Sequence, residues 1–220
     1  GDSTFTILSR EVLELLKDMK ENNKNMFIYG TRKGLSAVTV CRDCGEEVLC
    51  HNCSSPVVLY KRADMNIFRC KQCGEVRNAQ EVCVNCGGWR LVPLGVGVER
   101  IAEEIERNID VVGDIKIFEV NKEATPTHAK AKAVVEKFYK TPGSVLVGTE
   151  MALGLLHESV DFSVIATIDS LFSIPDFRIR ERIFHILLKA RSLAREKFII
   201  QARNAERQTL EMALSGSLAE

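Results

Sequence analysis

The sequence predicts an α/β fold in which a parallel sheet, covered by helices on both faces, is interrupted by a small module held together by metal-bound cysteines. Two observations predict this fold. Short apolar runs alternate with helical segments of about 10 to 15 residues, which is typical of parallel strands joined by crossover helices. All eight cysteines of the 220-residue chain lie between Cys41 and Cys86, in four C-x-x-C pairs.

The first predicted element is an amphipathic helix. Apolar residues recur from Ile7 at a spacing of about 3.6, Ser9 is placed to cap the helix, and the pattern ends near Asn22 and Asn23. The apolar residues 26–29 then predict a buried strand.

A basic loop follows this strand, with the sequence GTRKG at residues 30–34. In an open parallel sheet, the loop at the carboxyl end of a strand faces the ligand crevice. We therefore expect Arg32 and Lys33 to contact phosphate or nucleic acid.

The four cysteine pairs read CRDC, CHNC, CKQC and CVNC. A spacing of two residues lets both thiolates of a pair bind one cation, and two pairs complete a tetrahedral site, so eight ligands predict two zinc ions. The first two pairs are separated by only five residues, which disfavours a hairpin closing one metal between them. A nested pairing is favoured and a crossed pairing is the alternative. The nested sites are Cys41, Cys44, Cys83 and Cys86 for one zinc, and Cys50, Cys53, Cys70 and Cys73 for the other.

Residues 41–87, which we call the cysteine module, are interpreted as an insertion into a host formed by residues 1–40 and 88–220. Few large apolar side chains are present in the module, so metal binding, worth about 10 kcal/mol per zinc site, is expected to supply its folding energy. Within it, residues 56–69 suit a hairpin. His51 is expected either to be exposed or to support the ligands without binding the metal, because each pair already supplies its two ligands.

Two other uses of the cysteines compete with zinc. No leader with an apolar core is recognisable and no cysteine lies outside the module, so we expect reduced thiolates in a cytoplasmic protein rather than disulfides. Iron accepts the same four thiolates, so an iron or redox site is the alternative. No apolar run approaches the roughly 20 residues that cross a bilayer, and no membrane association is expected.

Alternating strands and helices are predicted after the module. Apolar residues Ile101, Ile105 and Ile109 predict the buried face of an acidic helix. The elements that follow are a strand at 115–120, a helix at 127–139, strands at 144–149 and 162–169, a basic helix from Arg178, a strand at 197–202 and a helix from Ala205.

The formal net charge is zero, so composition alone predicts no affinity for polyanions. Positive charge is concentrated between Arg178 and Arg207, a segment that contains nine Lys and Arg residues and only three acidic residues. This segment predicts contact with DNA or phosphate, with Arg178, Arg180 and Arg182 as the candidate residues. The alternative is a solvated face of a helix.

Several stretches resemble the primosomal protein N′ family of bacterial replication-restart DNA helicases. They are FIYGTRKG at the first strand, the four cysteine pairs, GVGVERIAEEI after them, VGTEM at 147–151 and DSLFSIPDFRIRER at 169–182. The resemblance covers almost the whole chain. It implies a RecA-like fold, the second lobe of a superfamily-two helicase, carrying a two-zinc module with nested pairing.

The resemblance also implies function. The module would assist strand separation, and the partners would be forked or single-stranded DNA together with primosome or single-strand-binding proteins. Thr149 would face DNA or the opposing lobe with Arg32 and Lys33, and Arg195 would be an arginine finger reaching toward ATP.

Departures from the family pattern limit these expectations. Neither G-x-x-x-x-G-K-S/T nor D-E-x-H occurs in the sequence, so ATP and Mg²⁺ are expected only together with a first helicase lobe. The loop after Thr149 lacks the family's lysine. In the arginine-finger motif, at 188–195, only Arg195 matches, because Ser192 replaces the other arginine and both glycines are missing. The alternative function is a catalytically degenerate lobe that serves as a scaffold or as a DNA- or protein-binding zinc module.

Overall fold

A computed structural model describes residues 6–31, 38–60, 65–94, 97–167 and 179–201, with the backbone alone at 93, 94, 179 and 180. The strands are β1 (Met26–Tyr29), β2 (Val38–Cys41), β3 (Val57–Tyr60), β4 (Ile67–Cys70), β5 (Val76–Asn78), β6 (Leu91–Leu94), β7 (Lys116–Val120), β8 (Ser144–Gly148), β9 (Val160–Ile165) and β10 (Ala194–Ile200). The helices are α1 (Arg10–Glu21), α2 (Val98–Arg107), α3 (Ile109–Val112), α4 (His128–Tyr139), α5 (Glu150–Leu155) and α6 (Ile179–Leu193).

The main sheet contains five parallel strands in the order β10-β9-β1-β8-β7. The predicted parallel sheet is therefore confirmed. β1 lies at its centre with all four residues buried. The carboxyl ends of β1 and β9 are adjacent, since Tyr29 is in register with Ile165.

Helices cover both faces of this sheet, as predicted. Successive residues of a strand point to opposite faces, so Phe27 packs in one core with Phe138 of α4, whereas Ile28 packs in the other with Leu16 of α1. The first core also receives α5 and α6, and the second receives α2 and α3.

Side-chain capping residues mark the beginnings of α1 and α4. The Ser9 hydroxyl accepts a hydrogen bond from the backbone N–H of Val12 at 3.3 Å, which confirms Ser9 as the cap of α1. Thr127 caps α4 in the same way through the N–H of Lys130, at 3.3 Å. Such caps satisfy N–H groups that the first turn leaves without a helical partner.

The cysteine module extends from a two-stranded antiparallel ribbon, which we call the stalk, formed by β2 and β6 with Val40 opposite Val92. The stalk leads into an antiparallel sheet of β3, β4 and β5, which confirms the predicted hairpin. The module has its own small core, centred on Val57, Leu59 and Phe68. The boundaries at residues 41 and 87 stay a prediction.

Three sequence-based expectations need correction. Ile109 does not continue the buried face of α2: the helix ends at Arg107, and Ile109 begins α3 with 47% of its surface exposed. Residues 91–94, for which the sequence predicted no strand, form β6. β10 begins at Ala194, immediately after α6, and not at residue 197. The helix predicted from Ala205 lies outside the described residues.

Candidate metal centres and the carboxyl edge of the sheet

The eight cysteines form two groups of four, and the grouping is nested. The ligand atoms of each group all lie within 4.8 Å of one another. The first tetrad is Cys41, Cys44, Cys83 and Cys86, and the second tetrad is Cys50, Cys53, Cys70 and Cys73. The predicted nested pairing is therefore the one that the structure adopts.

The spacing of the sulphur atoms fits a tetrahedral metal. In the first tetrad, Cys41 and Cys86 have their Sγ atoms 3.6 Å apart, and in the second Cys53 and Cys70 have theirs 3.5 Å apart. A metal about 2.3 Å from each thiolate separates the sulphurs by about 3.8 Å. A disulfide requires a separation of about 2.0 Å, so both tetrads have the dimensions of a four-thiolate metal site.

Each C-x-x-C pair forms the same turn with the two residues that follow it, and we call this unit a cysteine turn. The N–H of the first cysteine donates to the carbonyl five residues later at 2.8 Å, in the pairs Cys41–Glu46, Cys50–Ser55, Cys70–Glu75 and Cys83–Gly88. The residue after the second cysteine has a positive φ in every turn: Gly45 at 80°, Ser54 at 57°, Gly74 at 79° and Gly87 at 71°. A repeated local conformation therefore presents all four pairs.

Backbone N–H groups of the cysteine turns lower the pKa of the Cys44, Cys53 and Cys73 thiols and favour their thiolate form, whereas burial raises the pKa of Cys50 and Cys83. The N–H of Glu46 donates to Cys44 and lowers the pKa of its thiol to about 7. The N–H and hydroxyl of Ser55 do the same for Cys53, whose pKa falls to about 6. Metal binding at these sites is expected to release protons from the remaining thiols.

An acid and an arginine accompany each tetrad. The Cys50 thiol contacts the Glu75 carboxylate, with 2.5 Å between Sγ and Oε2, and Glu75 lies 3.6 Å from Arg77. In the first tetrad, Asp43 lies 3.9 Å from Cys41 Sγ and forms an ion pair with Arg90. Once a bound metal ionises all four thiols of a tetrad, these arginines would offset part of the resulting negative charge. His51 is exposed and belongs to neither tetrad, as expected.

The carboxyl edge of the main sheet contains only some of the predicted contact residues. Thr149 is 4% exposed, and its hydroxyl caps α5 by accepting from the N–H of Met151 at 3.4 Å. Arg182 forms a two-point ion pair with Glu150, including a 2.7 Å bond between Nε and Oε1. Arg182 therefore ties α6 to the start of α5, next to Thr149.

Arg195 lies at the other end of the sheet. It is the second residue of β10, whose first residue, Ala194, is in register with Val160 at the start of β9. Its guanidinium is 3.7 Å from the Asp161 carboxylate and its side chain is 58% exposed. The structure does not bring Arg195 together with Thr149 and Arg182.

The remaining predicted contact residues have no described side chain. Arg32, Lys33 and Arg178 lie outside the described residues, and the side chain of Arg180 is not described. In the sequence, Arg32 follows β1 and Arg178 directly precedes α6. Their roles, like those of Thr149, Arg182 and Arg195, stay predictions.

Sequence reasoning missed three acids that contact residues of these sites: Asp43, Glu75 and Glu150. Glu150 follows Thr149 in the VGTEM stretch, 32 residues from its partner Arg182. Glu75 is two residues beyond the third cysteine pair, and its position in the cysteine turn was the available indication. In the described part of the chain, no helix is both long and apolar enough to cross a membrane.

Comparison with known proteins finds relatives named replication restart protein PriA. The Haemophilus influenzae protein is 26% identical over 83% of this chain, the Thermotoga maritima protein 29% over 96%, and the Bacillus subtilis protein 24% over 83%. The chain spans only 24%, 29% and 22% of these three proteins, respectively. No family model matches the chain.

Proposed function

We propose that this chain is the zinc-bearing second lobe of a PriA-like replication restart helicase, with a RecA-like fold, and that it binds forked or single-stranded DNA. The observation that carries the proposal is the position of the two tetrads. They lie at and beyond the stalk, which follows the central strand of a parallel sheet in the chain, and they occur together with similarity to PriA proteins over most of the chain.

Zinc is the metal proposed for both tetrads. Four thiolates in a closed tetrahedral arrangement are typical of structural zinc, which takes no part in redox chemistry. The eight cysteines would hold the two ions and thereby fix β3, β4 and β5. An iron site remains the competing assignment, and an absorption spectrum separates the two, because four-thiolate zinc is colourless in the visible range and four-thiolate iron is not.

DNA is proposed to bind at the carboxyl ends of β1 and β9. Loops at adjacent strand ends that leave in different directions form the usual ligand crevice of an open parallel sheet. The segments leaving from these ends contain Arg32, Lys33 and Arg178, whose positive charges suit phosphate. Partner proteins of the primosome, or single-strand-binding proteins, would be recruited by the cysteine module.

ATP hydrolysis would require a first lobe that supplies the phosphate loop and Mg²⁺. In that assembly Arg195 is the candidate arginine finger. A second candidate function, a catalytically degenerate scaffold, is favoured by the junction at Leu193 and Ala194, where α6 passes directly into β10. Arg195 is ion-paired with Asp161 there and no extended loop presents it.

Zinc analysis and DNA titration test the proposal. We expect two zinc ions per chain and salt-dependent binding of a labelled forked oligonucleotide. A double substitution, Arg32→Ala with Lys33→Ala, should weaken binding severalfold. It should also reduce the slope of log affinity against log salt concentration by about one for each phosphate that these side chains neutralise. Lys17→Ala on α1 is the control, since its side chain is exposed on a different element. Unchanged affinity in the double variant would reject the proposed DNA site.

Pairing the chain with an ATP-binding first lobe distinguishes the two candidate functions. DNA-stimulated ATP turnover that is abolished in Arg195→Ala, with both zinc ions retained, would support the motor. The absence of turnover with DNA binding retained would support the scaffold.

A further inference from the structure

The outer edge of β7 is an open strand edge. β7 ends the five-stranded order, and in the part of the chain that the structure describes no strand pairs with its outer side. The unpaired backbone of an edge strand is a template for another strand, and natural proteins usually cover such an edge or interrupt it. β7 is instead regular over five residues, with Ile117 and Phe118 partly exposed.

A cleft of 470 Å³ with both charged and apolar lining residues lies beside the beginning of β7. It is formed where the end of α1, the junction of α2 and α3, and β7 meet. We call it the isoleucine cleft, because four isoleucines line it: Ile105, Ile109, Ile115 and Ile117. Ile109, which lines the cleft, is 47% exposed, and Val111, two residues further along α3, is 55% exposed. The cleft suits an aliphatic side chain of a bound segment.

Carboxylates form a rim along the same edge. Burial of Glu119 in β7 raises the pKa of its carboxyl, and the charges of Glu99, Glu106 and Glu103 of α2 raise it further. Glu106 also lines the isoleucine cleft, together with Asp114. Arg107 offsets part of this charge through Glu103, at 3.2 Å, and Lys20 and Lys116 lie at the cleft. We call Glu99, Glu103, Glu106 and Glu119 the acidic rim.

We propose that the outer edge of β7 docks an extended, basic segment of a partner protein by strand addition. The partner's backbone would pair with β7, an aliphatic side chain would enter the isoleucine cleft, and its Lys or Arg side chains would face the acidic rim. The charge of the rim determines the choice of occupant. Nucleic acid would be repelled by these carboxylates, and a second copy of the chain would bring two acidic rims together.

This docking site is separate from the proposed DNA site. It lies at the edge strand β7, whereas the DNA site lies at the ends of β1 and β9, two strands away or more in the sheet order. Failure of one proposal therefore leaves the other intact, and variants at the acidic rim are expected to keep DNA affinity.

A designed peptide tests the proposal on the full, zinc-loaded chain. The probe is a short peptide in which lysine and isoleucine alternate, and the comparison peptide replaces each lysine with glutamate. We expect the lysine peptide to bind, to perturb the amide resonances of residues 116–120, and to bind more weakly as salt increases. No binding, or perturbation confined to another surface, would reject the proposal.

Two matched sets of variants separate the rim from the cleft. Glu106→Gln with Glu119→Gln should weaken the lysine peptide severalfold, whereas Glu14→Gln with Glu158→Gln, at exposed acids elsewhere, should not. Ile109→Ser should weaken it as well, with Leu188→Ser on α6 as its control. Equal binding of the glutamate peptide, or a concentration-dependent dimer that Ile109→Ser abolishes, would contradict the proposed occupant.

Discussion

Gly148, just before α5, and Gly154, within it, differ in the space around them. A Cβ at Gly148 would collide with the Ala152 side chain and lie 3.1 Å from the Val120 carbonyl, whereas one at Gly154 would meet nothing within 4 Å. Gly148→Ala should therefore destabilise the protein by about 1–3 kcal/mol through overpacking. Gly154→Ala should stabilise it by about 0.5–1 kcal/mol, because alanine loses less backbone entropy in a helix.

Thermal unfolding of the zinc-loaded variants, followed by circular dichroism, measures both effects. The two substitutions add the same methyl group six residues apart, so each is the control for the other. A similar shift of the melting temperature in both variants would contradict the packing found at Gly148.

Glu119 provides a pH-dependent prediction. Burial and the neighbouring acids raise its pKa above the ordinary 4.5 in the folded state, so the folded protein binds the proton more tightly than the unfolded chain. This residue's contribution to stability therefore falls as pH rises from 4.5 through the raised folded pKa. Glu119→Gln should unfold at a higher temperature than the parent at neutral pH, and the difference should vanish below pH 4.5.

Melting temperatures of the parent and Glu119→Gln across this pH range test the prediction. Glu14→Gln is the control, because Glu14 lies in an exposed pair with Arg10 on α1. A difference between parent and Glu119→Gln that persists unchanged in acid would show that charge at Glu119 is not its cause.

At the residue scale, the sequence alone was sufficient to predict local features but not contacts between residues distant in the chain. The cap at Ser9 and the ligands at the cysteine pairs are local, so spacing was sufficient to predict them. The ion pair between Arg182 and Glu150 joins residues 32 positions apart, and its formation depends on how α6 packs against α5. A count of positive charges placed Arg182 with DNA, but it could not indicate a partner on another helix.

At the scale of elements, the cysteine turns are near-repeats with one exception. Three have glycine at the position of positive φ, and the second has Ser54 at 57°. A residue with a Cβ in this conformation costs about 1–2 kcal/mol. Ser54→Gly should relieve that strain and stabilise the second tetrad, although the greater freedom of glycine in the unfolded chain offsets part of the gain.

Competition with a chromophoric chelator measures this effect as zinc affinity. Ser54→Gly should bind one of its two zinc ions more tightly than the parent. Gly87→Ser makes the reverse change at a turn where an added Cβ meets nothing within 4 Å, so it introduces backbone strain without a collision. It should weaken the first tetrad, and stronger zinc binding by this variant would contradict the argument.

The elements that the sequence did not predict correctly are those defined by contacts distant in the chain. Residues 91–94 form β6 because they pair with β2, some 50 residues earlier, and Pro93 is tolerated in a ribbon that has only two strands. Ile109 followed the apolar spacing of α2, but the helix ends before it. In the first case, pairing with a distant strand determines the structure. In the second, α2 ends although the apolar spacing of the sequence continues.

At the scale of the whole molecule, the core beneath α1 and α2 on the main sheet and the core of the module are distinct. In β6, Leu91 packs against the core of the module, whereas Val92, the next residue, packs against the core formed by α1 and α2. The stalk thus connects two hydrophobic clusters whose buried residues do not overlap. Successive residues of a strand point to opposite sides, so Leu91 and Val92 can pack against different cores.

Removal of the second tetrad should therefore unfold the module and spare the main sheet. A double substitution, Cys50→Ser with Cys53→Ser, should reduce zinc from two ions to one per chain, because the sulphurs of Cys70 and Cys73 alone do not complete a site. The core at Val57 and Phe68 is too small to hold β3, β4 and β5 without about 10 kcal/mol of metal binding.

Hydrogen exchange tests this separation residue by residue. Amides of β3 and β4 should lose protection in the double variant, while those of β1, β8 and β9 keep it, because their two cores contain no residue of the second tetrad. His51→Ser, between the two substituted cysteines and exposed, is the control and should keep both zinc ions. Loss of protection in β1 together with β3 would mean that the zinc site stabilises the whole chain, and that the module is not an independent insertion.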